Sequence, residues 1–77
     1  MDRVDSARSL KLFLEERGIP VYNYSIGSPA DDSLCLTLEF DGTYHVFILD
    51  HGVRFEEKIF DKESDACKYF AKRIVQY

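Results

Sequence analysis

The chain has 77 residues, with ten lysines and arginines against fourteen acids and a formal net charge of −4. At that length a single domain, 1–77, with one core is expected. Such a chain buries only about 60–65% of the surface its unfolded state exposes, so few large apolar side chains can be spared for a deep active-site pocket. No apolar run in the sequence approaches the roughly 18 residues of a membrane span. The opening MDRVDSARS is charged rather than signal-like, so a cytoplasmic product is expected.

Residues 2–17 read as the first helix. Val4, Ala7, Leu10, Phe13 and Leu14 recur at helical spacing, with Arg8, Glu15 and Glu16 opposite. Asp2 and Asp5 suit the positive end of the helix dipole. Gly18 stands where a C′ glycine belongs and Pro20 stops continuation. Leu12 falls off the buried stripe. The next stretch, 19–32, alternates Tyr22, Tyr24 and Ile26 with Asn23 and Ser25, then turns at Gly27, Ser28, Pro29 and Asp31. It reads as an extended edge segment running into a loop, with a strand over 21–26 left open.

Three strands follow, over 34–40, 44–49 and 53–60, separated by turns at Asp41-Gly42 and His51-Gly52. Two registers are open for the first hairpin, and a slip between them exchanges the sheet faces. A three-residue loop Phe40-Asp41-Gly42 puts Leu34, Leu36 and Leu38 on one face with Tyr44, Val46 and Ile48, leaving Thr37, Glu39, His45 and Phe47 on the other. A two-residue Asp-Gly loop pairs Leu38 with His45 instead. The first is preferred because it separates polar from apolar more cleanly. The closing helix covers about 62–75, with Asp61 as N-cap, Glu63 and Asp65 in the first turn, and Ala66, Cys67, Phe70, Ala71 and Ile74 as its buried stripe. The expected fold is α+β in the order α-β-β-β-α. A three-stranded antiparallel meander carries both helices on one face, and its other face is left to solvent or a partner.

Charge is segregated. Between Asp31 and Glu57 seven acids face the single base Arg54, a net −6, whereas 1–30 is neutral and 58–77 is +2. Such a field repels nucleic acid and anionic membrane and attracts a basic protein. Candidate chemistry is sparse. Cys35 and Cys67, far apart in apolar-periodic segments, read as buried reduced thiols. His45, Asp50 and His51 are the nearest thing to a metal set, but His45 and Asp50 sit about 16 Å apart along one strand, and an adjacent Asp-His pair cannot fill a zinc shell. No metal, cofactor or catalytic group is expected. The adjacent carboxylates Asp31-Asp32 and Glu56-Glu57 are expected to point apart.

The element order is also that of the double-stranded RNA-binding domain. That family holds phosphates with lysines at the start of its last helix, where this chain reads Asp61, Lys62, Glu63, Ser64, Asp65. The shape is shared without the chemistry, which leaves a regulatory or adaptor protein-binding domain as an alternative. A second likeness lies in the helix ending Glu16 to Pro20, Tyr24 to Gly27, the strand Leu34 to Leu36, the turns Asp41-Gly42 and His51-Gly52, and the closing Phe60 to Ile74. Together they resemble the small bacterial immunity proteins that neutralise polymorphic or secreted toxins. The resemblance implies a stoichiometric inhibitor without turnover, bound to a cognate toxin domain, and the acidic charge points to a basic one. The candidate partner-binding residues are Tyr22, Tyr24, Asp31, Asp32, Glu39, His45, Phe47, Glu56 and Glu57. The carboxylates would steer association, and Tyr22, Tyr24 and Phe47 would anchor it.

Overall fold

Ser6 starts the first helix. In a computed structural model, which describes residues 4–75, its hydroxyl accepts from the Ser9 N–H at 3.2 Å while the Ser9 hydroxyl accepts from the Ser6 N–H at 3.0 Å, a reciprocal capping box. The helix α1 therefore runs Ala7–Glu16, later than the charge pattern suggests. Asp5 lies ahead of the cap, taking a hydrogen bond from the Ser9 hydroxyl at 3.3 Å, and Asp2 lies outside the described residues. At the other end Gly18 takes φ +69°, and the N–H groups of Gly18 and Ile19 reach back to the carbonyls of Glu15 and Leu14. That pairing is a Schellman motif.

After a single 3₁₀ turn, Val21–Asn23, come the strands β1 (Tyr24–Ile26), β2 (Ser33–Leu38), β3 (Tyr44–Asp50) and β4 (Val53–Phe60), then the helix α2 (Glu63–Ile74). The four strands form one mixed sheet in the order β1-β2-β3-β4. The antiparallel meander β2-β3-β4 is present, but the three-strand expectation is corrected by β1, which pairs parallel to β2 with Tyr24 opposite Leu34. Helix α2 is capped differently from expectation. Lys62, not Asp61, holds the N-cap position, with no side-chain hydrogen bond. The first-turn acids remain, and Glu63 accepts from the Ala7 N–H of α1 at 3.2 Å, so one carboxylate serves the positive ends of both helices.

Register decides the faces. Leu38 pairs with Tyr44, Leu36 with Val46 and Leu34 with Ile48, and Gly42 sits at φ +85° in the loop between. The three-residue loop Phe40-Asp41-Gly42 is thus the one adopted, with Gly42 in the left-handed conformation that a side chain resists. Leu34, Leu36 and Val46 join Leu10 and Leu14 of α1 and Ala66, Cys67, Phe70, Ala71 and Ile74 of α2 in one core, with Ile19 and Phe60 packed against it. Both helices thus cover the same sheet face. Truncating a fully buried residue such as Phe70 to alanine should cost about 3–5 kcal/mol, a large share of the stability of a domain this small.

Candidate binding surface

The second hairpin turn is the two-residue pair His51-Gly52, both at positive φ (52° and 79°), the type I′ geometry that suits the twist of a hairpin. The loop between β1 and β2 is tied to it. Asp31 accepts from the Gly52 N–H at 3.0 Å, and the Asp32 N–H donates to the Leu49 carbonyl at 2.7 Å. Asp31, Asp32 and Asp50 are thereby gathered at one end of the sheet around His51. The ligating atoms of Asp32, Asp50 and His51 all lie within 4.8 Å of one another, and all three residues are exposed. The Asp50 carboxylate, 2.6 Å from His51 Nδ1, with the charges of Asp32 and Asp31 behind it, raises the imidazole pKa above its ordinary value. Two carboxylates and an imidazole can in principle hold a cation, but exposed donors without a buried shell bind one weakly.

A second cluster lies on the sheet face away from the helices, and a β-bulge creates it. Ile48 pairs with Phe55 and Val46 with Lys58, so Glu56 and Glu57 together oppose Phe47. Glu56 takes φ +53°, a conformation that costs a non-glycine residue on the order of 1 kcal/mol. In a regular strand Arg54 and Glu57 would face opposite sides. The bulge shifts the phase and brings them together, with Arg54 Nη1 donating to Glu57 Oε2 at 2.7 Å. The Arg54 guanidinium lies 4.0 Å over the Phe47 ring and 3.8 Å from the Glu39 carboxylate, which also accepts from the Thr37 hydroxyl. His45 donates from Nδ1 to Glu57 at 2.7 Å, and its Nε2 faces the Thr43 hydroxyl at 3.0 Å. The His45 hydrogen bond and the Arg54 guanidinium hold the Glu57 carboxyl below the usual range, outweighing its partial burial. Both hydrogen bonds from Thr43 lower Asp41 in the same way.

Thr43, His45 and Glu57 stand in the order hydroxyl, imidazole, carboxylate, the order of a nucleophile triad. The Thr43 hydroxyl, however, donates to Asp41 at 2.6 Å, so its single proton is committed to a carboxylate rather than to the imidazole. Glu57 is likewise shared with Arg54. The arrangement is a closed polar cap over Phe47. Neither thiol is activated: burial raises Cys35, and burial together with the Glu63 charge pushes Cys67 up to about 11.

The residues expected to touch a partner separate into four groups. Glu39, His45, Phe47 and Glu57 do come together on the far face, as the preferred register requires. Phe47 is nevertheless fully buried, so the expectation of an open aromatic anchor there is corrected: Arg54 covers the ring. The neighbouring Cys35 is buried too, with its Sγ against the Ala30 backbone of the β1–β2 loop. Glu56 points the other way, to Arg73 of α2 at 3.0 Å, so the adjacent acids do diverge. Tyr24 is half-buried and packs against the helix-side core. Tyr22 remains 77% exposed, and its carbonyl accepts from Ser33, whose hydroxyl also reaches Asp31 O near the acidic corner.

The sequence reading places β4 over the residues observed, 53–60, but misses its exposure. Seven of its eight residues are exposed, and Val53, Phe55 and Ile59 present large apolar side chains there. As the last strand in the sheet it has a neighbour on one side only, so its outer backbone groups form an edge that another chain can pair with. The signal was present in VRFEEKIF, whose apolar residues are too many for a solvated strand, but β4 read equally well as one side of the core. No protein-family model, curated protein or solved structure matches the chain. Among the described residues no helix is long and apolar enough to cross a membrane.

Proposed function

We propose that this chain acts by stoichiometric binding to a protein, as an immunity-type inhibitor of a basic toxin domain, without turnover. The observation that carries the reading is β4, an exposed edge strand bearing Val53, Phe55 and Ile59 that begins at the acidic corner of Asp31, Asp32 and Asp50. Interface energy concentrates in a few desolvated apolar or aromatic anchors, while rim charges govern the rate of encounter. Val53, Phe55, Ile59 and Tyr22 are the anchors in this arrangement, in place of Tyr24 and Phe47. Asp31, Asp32 and Asp50, grouped around His51, steer a basic partner, while the charges of Glu39, Glu56 and Glu57 are offset by Arg54 and Arg73 beside them.

The test is co-expression with the product of a toxin-like reading frame adjacent to the chain's own gene. Relief of growth arrest and a 1:1 complex on co-purification are expected, with relief lost on Phe55→Asp. Growth arrest that persists at high expression of the folded chain, with no complex recovered, overturns the reading.

A further inference from the structure

Strand β4 carries exposed apolar side chains on both faces of the sheet. Phe55 stands opposite Ile48, which packs against the helix-side core, and Val53 shares that face two residues earlier. Ile59 stands opposite His45, on the far face with Phe47. The bulge at Glu56–Glu57 makes the difference, because it shifts the phase of the strand between Phe55 and Ile59. A partner seated on either face alone would leave part of this apolar surface in water. One that runs along the edge meets both sets, since side chains of an added strand alternate between the two faces.

The backbone of β4 is arranged for such an addition. The Leu49 carbonyl turns away from β4 and accepts from the Asp32 N–H at 2.7 Å. Backbone groups alternate sides along an antiparallel strand, so Val46, Ile48 and Asp50 direct theirs toward β4. Their partners Lys58, Phe55 and Val53 are satisfied inward, which leaves the N–H and C=O of Arg54 and Ile59 directed out of the sheet edge. Among the described residues no strand pairs beyond β4. Resting on the binding function proposed above, we propose that the partner supplies an extended segment that adds to β4 as a fifth strand. That segment carries apolar side chains at alternate positions and lysine or arginine at the end beside Val53. Charge selects the end. Asp31, Asp32 and Asp50 gather at the turn before Val53, whereas Lys58, Asp61 and Lys62 mix both signs around the other end. Strands lie about 4.8 Å apart, so the added one runs about 10 Å from β3, near the screening length at 0.1 M salt. Basic side chains reaching back from it come closer still.

Amide-resolved hydrogen exchange, on the full chain alone and bound to the purified product of the adjacent toxin-like reading frame, tests the pairing. The Arg54 and Ile59 amides should exchange readily in the free chain and at least about tenfold more slowly in the complex. The inward Phe55 and Lys58 amides should be protected in both. Ile59→Pro removes an outward N–H at an edge position that accepts proline, so it should weaken the complex several-fold beyond Ile59→Ala, with both variants folded by thermal melt. A complex in which the Arg54 and Ile59 amides exchange as in the free chain overturns the strand addition and leaves the binding function standing. Equal affinity of the two Ile59 variants overturns it too. Protection of both amides in the chain alone as its concentration rises would assign the edge to a second copy instead. Absence of any complex overturns the binding function and this pairing together.

Discussion

Replacing Arg54 with alanine removes three interactions at once, and their sum can be worked from the geometry. The guanidinium lies 4.0 Å over the Phe47 ring, a partly desolvated cation–π contact of about 1 kcal/mol. Its ion pairs with Glu57 at 2.7 Å and Glu39 at 3.8 Å involve side chains about one-third exposed, so together they contribute roughly 0.5 kcal/mol. Uncovering one face of a fully buried phenylalanine exposes about 40 Å² of apolar surface, roughly 1 kcal/mol. Arg54→Ala should therefore cost about 2–3 kcal/mol, which in a domain of this length lowers Tm by roughly 8–24 °C. Arg54→Met keeps an apolar stem over the ring and should lose only about half as much. Urea unfolding of the two variants, with m-values checked for constancy, measures both. Equal losses in the two, or a loss below about 0.5 kcal/mol in Arg54→Ala, would refute the assignment of Arg54 as the cover of Phe47.

Three further outcomes follow from particular residues. Gly42→Ala forces a β-carbon into φ +85° with open space around it, so the cost is conformational, about 1–2 kcal/mol by thermal melt. Glu57 has a folded pKa below its unfolded one, so its stabilising contribution is present above the ordinary glutamate value of about 4.3 and is lost as pH falls through the lower folded value. Asp41 behaves the same way around its own lower range; Glu57→Gln should flatten that acid limb of a stability–pH curve. Double-stranded RNA should not bind at physiological salt, because Glu63 and Asp65 occupy the first turn of α2; a micromolar Kd in a filter assay that weakens steeply with salt would contradict this.

Much of the fold could be read from residue pattern because each signal was local. The buried stripe of α2, Ala66 to Ile74, follows helical spacing. Gly18 marks the end of α1, and Phe40-Asp41-Gly42 sets the hairpin register and with it both faces. Features that depend on long-range pairing were not legible. Strand β1 is three residues long and runs parallel to β2 after the short loop 27–32, a connection no periodicity announces. The bulge at Glu56–Glu57 has no glycine to signal it, yet it sets Arg54 beside Glu57 and so closes the face over Phe47. Ser6 does not stand out as a cap in the sequence, because the aspartates before it offer a simpler electrostatic reason for a helix start. Of the candidate site, the acidic sequence 31–57 was visible as charge. Its division into arginine-paired carboxylates and a separate corner at His51 is a product of the fold.

Stopped-flow association of the chain with the purified product of the adjacent toxin-like reading frame tests the central claim most directly. The variant carrying Asp31→Asn, Asp32→Asn and Asp50→Asn should associate at least roughly tenfold more slowly at low salt and lose most of the salt dependence, while dissociation changes little. Phe55→Ala should do the reverse, leaving association nearly intact and speeding dissociation. Association that is unchanged in the aspartate variant, or that is slowed more by charge reversal at Lys68, Lys72 and Arg73 on α2, would place the binding surface on the helices and contradict it.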